Sequence, residues 1–343
     1  MKIEIGKISM LALFIFLILS LSGCQHMRDY HQDMRDFVEH LSVYAKNLDA
    51  DFYIIPQNGP ELLTVNGSAD GNISTAYISA IDGVGREELW YGYTGDNIPT
   101  PEADTQYMLR FLNIAQLSNL SVLVTDYCWT HSYVDDSYLK NELRGYLSIA
   151  ADHRELDNIP TYPSRPVHEN TNTINHLRDA KNFLYLINTR LFINKSAFLT
   201  ALRATNYDLL IIDLSYEDTI LTKPEIDSLK TKKDGGERLV IAYISIGEAE
   251  DYRYYWKPEW KIHRPDWLLW QNPYWPGNYK VKYWDPAWQQ IIYGNNESYM
   301  YKILQAGFDG AYLDRVDAFE NFVRSKLNMQ QWLSQLDSRT IDH

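Results

Sequence analysis

Cysteine is nearly absent from this 343-residue chain, which carries only Cys24 and Cys128. Cys24 closes an N-terminal export pattern, so Cys128 is left alone in the folded part and an internal disulfide is excluded. Between Tyr127 and Trp129, Cys128 reads as a small core residue, with a thiol nucleophile as the competing reading. Basic charge is also scarce: 32 Lys and Arg stand against 45 Asp and Glu, a formal net charge of -13. Nucleic acid needs a basic face and is not expected as a partner, whereas a neutral or cationic substrate is permitted. The nine histidines show no ligand spacing and no aspartate run resembles a calcium loop, so no metal site is expected. A glycine-rich phosphate loop and a serine nucleophile elbow are both missing, and no cofactor is expected. Short repeats and low-complexity tracts are missing too.

One long apolar run does occur, from Ile8 to Leu21, preceded by Lys2 and Lys7 and followed by Ser22-Gly23-Cys24. It is too short for a conventional membrane span and has the order of an export signal. Leu21-Ser22-Gly23-Cys24 is also the pattern of a bacterial lipobox, in which Cys24 is diacylated. The expected organisation is a signal peptide over 1–23, a tether over 24–33, one domain over 34–327 and a tail over 328–343. The expected location is the bacterial cell envelope, with a monomer anchored to the membrane by lipid on Cys24. A simple cleaved signal is the alternative.

Aromatic residues are abundant, with 26 Tyr and 10 Trp, and 45% of the chain is hydrophobic, which describes a globular protein with a large core. Short β-branched and aromatic runs recur: Phe52–Gln57, Ala76–Ile81, Val122–Tyr127, Gly145–Ala150, Phe183–Asn188, Leu209–Leu214, Leu239–Gly247, Trp267–Trp270 and Gly310–Asp314. Many are apolar throughout, as expected for parallel strands covered on both faces. Helical spacing lies between them, in Met34–Leu48, in Ser196–Arg203 and in a helix opened by Lys223-Pro224 and stopped at Gly235-Gly236. Strand–helix alternation of this length means α/β and favours a (β/α)₈ barrel over an open sheet. Polar residues end most of the strands: Asn58, Asp82, Asp126, Asn188, Asp213, Glu248 and Asp314. A barrel builds its site on that rim, although polar residues also end strands simply because the chain turns into solvent.

Three segments of the second half carry a family likeness. They are Val240–Trp256 (Val-Ile-Ala-Tyr-Ile-Ser-Ile-Gly-Glu-Ala-Glu-Asp-Tyr-Arg-Tyr-Tyr-Trp), Trp275–Asp285 and Gly307–Phe319, the last containing Leu313-Asp-Arg-Val-Asp317. Together they resemble the endo-α-1,4-polygalactosaminidase-like glycoside hydrolases of family 114 and their bacterial relatives. In that family the Leu-Asp-x-x-Asp strand precedes a strand ending Pro-Gln-Asn-Gly, a Gly-x-Gly-x-Glu-like turn and a Val-Leu-Val-x-Asp-Tyr strand. Here those later elements come first, as Ile55–Gly59, Gly83–Glu87 and Val122–Tyr127, so the resemblance implies a circularly permuted TIM barrel. Its strands in family order would begin at Phe183, Leu209, Leu239, Trp267, Gly310, Phe52, Ala76 and Val122. Gly145–Ala150 would be an extra element, and Tyr162–Asn175 the join between the family's usual ends.

Glycosidic cleavage needs two carboxyl groups astride the bond. The resemblance places one on Asp314 and the other on Glu87, with Asp82 and Glu88 as alternatives. Asp213, Tyr243, Glu248, Asp126 and Asn58 are expected on the same rim, as substrate contacts or supports for the acids. Arg253 is expected to pair with a rim carboxylate, either at the site or as a structural ion pair. Seven tryptophans fall between Trp256 and Trp288. Most should pack a long loop onto the barrel, while Trp275 and Trp284 are expected to stack on sugar. The implied function is an endo-acting hydrolase of an amino-sugar polysaccharide. The rival readings are a glycan-binding surface lipoprotein that does not cut, and a glycosidase for another sugar.

Overall fold

The computed structural model describes residues 28–324; the export segment, Cys24 and the polar tail lie outside them. Helix α1 (Tyr30–Leu48) starts earlier than its apolar period because the Asp29 side chain caps it, accepting from the Gln32 amide at 3.1 Å. Met34, Phe37, Val38, Leu41 and Ala45 form its buried stripe.

The strands are β1 (Tyr53–Pro56), β2 (Gly83–Glu87), β3 (Ser121–Tyr127), β4 (Leu147–Ala151), β5 (Phe183–Leu186), β6 (Leu209–Asp213), the two-residue pair β7 (Ser215–Tyr216) and β8 (Thr219–Ile220), β9 (Leu239–Ser245), β10 (Glu248–Glu250), β11 (Leu268–Gln271), β12 (Asn278–Val281) and β13 (Gly310–Asp314). Between them run α2 (Thr75–Ala80), α3 (Glu102–Leu117), α4 (His131–Glu142), α5 (Lys195–Arg203), α6 (Lys223–Leu229), α7 (Pro286–Ile292) and α8 (Tyr299–Ala306).

The fold is α/β around parallel strands. One sheet runs β1-β13-β9-β6-β5 and another β2-β3-β4, every pairing parallel. A parallel bridge from Gln57 to Gly85 joins β1 to β2, and β4 lies beside β5. Helix α1 packs against α8 and α2, the helices that come before β13 and after β1 in the chain. Strands β5, β6 and β9 are buried at every residue, the covered pattern their apolar runs announce.

Side chains alternate between the two faces of each strand. One face sends Tyr185, Tyr243 and Tyr312 into a shared interior, where Tyr185 and Tyr312 meet edge to face at 5.2 Å. The Tyr185 hydroxyl donates to Gln57 Oε1 at 2.8 Å. At the other end of the strands, Lys232 and Asp208 form a fully buried ion pair at 2.9 Å. Asn170 donates to the same carboxylate at 3.0 Å and holds the Tyr162–Asn175 segment to the foot of β6.

Four sequence readings are corrected. Ala76–Ile81 is the helix α2, and the neighbouring strand is Gly83–Glu87, which has no apolar run. Trp267–Trp270 does not join the parallel strands. As β11 it pairs antiparallel with β12, which pairs with β10, and its outer residues are exposed. Gly145–Ala150 is no extra element, since β4 pairs in register with β3. Helix α6 ends at Leu229, before Gly235-Gly236, because Thr231 turns to bridge Glu237.

Candidate active site

Asp314 and Glu87 end β13 and β2 on the interior face, one layer above Tyr312 and Gly85. Oδ2 of Asp314 accepts the Tyr243 hydroxyl at 2.7 Å, and Oδ1 accepts the Arg315 amide at 2.7 Å. Burial, with Glu87 and Asp317 nearby, pushes the Asp314 carboxyl up to about 7 against the opposing pull of Arg315 and the Tyr243 bond.

Glu87 is held through both oxygens, the arrangement of a carboxylate acceptor. Oε1 accepts the Tyr127 hydroxyl, and Oε2 accepts Asn58 Nδ2 at 2.8 Å. The Glu87 amide donates back to Asn58 Oδ1 at 3.2 Å, so one carboxamide fixes both ends of the residue. Asn58 does this from a left-handed backbone, at φ 63°, which aspargine tolerates better than most side chains. Burial pushes the phenols of Tyr127, Tyr185, Tyr243 and Tyr312 well above their ordinary range, and the first three donate hydrogen bonds, to Glu87, Gln57 and Asp314. The Tyr312 hydroxyl, beneath the acids, is buried without a hydrogen-bond partner. A Cβ on Gly85 would come 1.9 Å from that oxygen, so the absence of a side chain there makes room for the phenol.

The other rim residues divide by environment. Arg253 forms a two-pronged pair with Asp213, at 2.8 and 2.7 Å, and reaches Glu250 at 2.6 Å, all nearly buried. Asp213 is thereby held in a nearly buried ion triad. Glu248 is buried and accepts Asn272 at 3.0 Å and Arg315 at 3.1 Å; its carboxyl is raised chiefly by burial. Arg315, at φ 62°, spans Glu248 and Asp317 next to Asp314. The loop after β9 passes so close that a Cβ on Gly247 would lie 2.1 Å from the Arg315 carbonyl oxygen.

Several expected site residues lie elsewhere. Asp126 points outward because its neighbour Tyr127 points in. Its carboxylate is fully buried, accepting the Trp90 amide at 2.8 Å, the Tyr91 amide at 3.2 Å and the Ser137 hydroxyl at 2.6 Å. Asp82 lies just before β2 instead of ending a strand, and is bound by the Ile54 amide at 2.8 Å and by Lys46 at 3.0 Å. Glu88 pairs with Arg154 at 2.7 Å, and burial raises its carboxyl. Trp284 is packed among Tyr30, Tyr283 and Phe322 with Arg28 over its ring. Trp275 stands half-exposed between β11 and β12. Trp256, Trp260, Trp267 and Trp288 do pack the β10–β12 excursion to the core, in a chain of ring contacts. Cys128 is a buried core residue beside Tyr91 and Val134, its thiol raised by burial. Among the described residues no group of three or more His, Cys, Asp or Glu could hold a metal ion.

Arg154 is the residue that sequence reasoning passed over. It binds Glu88, Asp96 at 2.6 Å and the Gly92 carbonyl at 3.1 Å, with its guanidinium 4.0 Å over the Tyr127 ring. It braces, from behind, the tyrosine that holds Glu87. Reading β4 as a true strand would have placed Arg154 on the rim.

Residues 167–337 match the model of glycoside hydrolase family GH114, a stretch that includes Asp314 and Tyr243. The second half of the chain is GH114-like. An uncharacterized protein of Methanocaldococcus jannaschii is 41% identical over 172 residues, 50% of this chain and 48% of the relative. An uncharacterized protein of Thermotoga maritima is 39% identical over 34% of this chain and 35% of its own length, and one from Deinococcus radiodurans 36% over 40% and 43%. The chain thus spans about half or less of the curated relatives it matches. The GH114-like match supports glycoside hydrolase chemistry.

Proposed function

We propose that this GH114-like chain is an endo-acting hydrolase of an α-linked galactosamine-type polysaccharide, with Asp314 and Glu87 as its carboxyl pair. The observation that carries the reading is the unequal treatment of the two acids. Asp314 has a carboxyl raised to about 7, while Glu87 accepts a hydrogen bond on each oxygen. Two acids whose surroundings differ in this way suit one proton donor and one charged partner. Asp314 donates its proton to the glycosidic oxygen as the carbon–oxygen bond breaks. Glu87 faces the positive charge that builds on the sugar ring. Tyr243 and Arg315 then support the charge left on Asp314, until water bonds its oxygen to the ring carbon and the proton it releases restores the carboxyl.

The proposed frame is a closed (β/α)₈ barrel in a permuted order. The eight parallel strands, the Gln57–Gly85 bridge and the adjacency of β4 and β5 support closure. The family match beginning at 167, just inside the 162–175 segment, supports the permutation. Export and lipidation at Cys24 rest on the Leu21–Cys24 pattern, which mass spectrometry of membrane fractions, with a Cys24→Ser control, would test.

The test of the activity is product release from galactosamine polymers, acetylated and not, by the chain and by its Asp314→Asn variant. Oligosaccharides released by the first and lost in the second support the reading. Binding without release by either would replace it with a glycan-binding role.

A further inference from the structure

The loops that follow β2 and β3, the strands ending at Glu87 and Tyr127, carry three large apolar side chains in the open. Trp129, Tyr93 and Ile98 are each about half exposed, at 52%, 46% and 48%. Among the described residues no aromatic ring stacks on Trp129 and no cation covers it. Exposed indoles on floppy loops are unremarkable, but this loop is tied down. The Asn97 side chain accepts the amides of Trp129 and Thr130, both at 3.0 Å, and donates to the Thr130 hydroxyl at 2.9 Å. The Asn97 amide donates to the Tyr127 carbonyl at 2.9 Å, so the Tyr93–Ile98 turn and the end of β3 are locked together. Arg154 fastens the same turn through Asp96 and the Gly92 carbonyl.

The bare ring also lies close along the chain to the candidate active site. Trp129 follows by two residues the tyrosine that donates to Glu87, a span of about 7 Å of extended backbone. A large flat apolar surface held rigid beside a carboxyl pair gains binding energy with little ordering cost. A sugar ring offers a matching face of C–H groups, and an ammonium on that sugar adds cation–π attraction.

We infer that Trp129 is a sugar-stacking platform, receiving the unit of the glycan next to the one whose bond is cut. This rests on the substrate reading above and adds to it a residue that grips the chain on the Glu87 side. The glycan is then held over more than one unit, as cleavage within a polymer requires.

The experiment compares wild type, Trp129→Ala and Trp129→Phe on galactosamine polymer, with polymer affinity measured in an Asp314→Asn background. The expected result is a KM and a Kd raised about tenfold in the alanine variant, with kcat changed far less and partial recovery by phenylalanine. If wild type cleaves the polymer and the alanine variant matches its KM and Kd, the stacking role alone is overturned. If wild type neither binds nor cleaves any galactosamine polymer, the substrate reading falls and the platform falls with it. Circular dichroism of the alanine variant separates lost binding from lost folding, since the ring packs against little.

Discussion

The Tyr243 hydroxyl reaches across from β9 to donate a 2.7 Å hydrogen bond to Oδ2 of Asp314 on β13, and the two strands run in parallel register. A donor to the carboxylate favours its charged form, so this bond holds Asp314 lower than burial alone would. Tyr243→Phe is therefore expected to raise the Asp314 carboxyl. Where activity needs Asp314 protonated, the alkaline limb of kcat/KM falls near pH 7 in wild type and moves upward in the variant. A limb that stays in place, or moves to lower pH, contradicts the assignment.

The same carboxyl links folding to pH. Its folded value, about 7, lies above its ordinary value of 3.8, so the folded state binds the proton more tightly than the unfolded chain does. The resulting stability is complete below about pH 4 and is lost as pH rises through 7. Asp314→Asn removes the buried charge. Urea melts should show the variant gaining on wild type between pH 5 and 8, by on the order of 2 kcal/mol after allowing for partial exposure at the rim.

Asn58 acts through Glu87, and Asn58→Gly tests it with the left-handed backbone preserved. Loss of the carboxamide frees one Glu87 oxygen and its amide. kcat is expected to drop by about tenfold to a hundredfold, with little change in KM and no loss of melting temperature. A fall in stability with unchanged kcat would make Asn58 a turn residue only.

Arg253→Met should leave Asp213 and Glu250 as buried, uncompensated charges. The expected loss is about 3–5 kcal/mol of stability by chemical denaturation. Replacing all three by apolar residues of similar volume should recover most of it, the behaviour of a structural triad.

The legibility of the chain follows what each strand must do. Strands β5, β6 and β9 are covered on both faces, so they read directly as apolar runs. Strand β2 carries no such run, because its interior positions are Gly85, vacated for Tyr312, and Glu87, a carboxyl held by Asn58 and Tyr127. The nearby Ala76–Ile81 buries only Tyr77 within its helical turns, yet its composition imitates a strand. Asp314 stands out in the sequence through its Leu-Asp-x-x-Asp motif, whereas its raised carboxyl comes from surroundings that the motif does not contain. Asp126 was misplaced by one residue of pleat, since Tyr127 takes the inward position that the acid was expected to hold.

Arg154 joins the loop after β2 to the loop after β4 and lies flat on Tyr127 between them. The two loops therefore behave as one body, whose parts move together or not at all. The β10–β12 excursion, a separate antiparallel sheet beside the parallel strands, takes no part in that clamp.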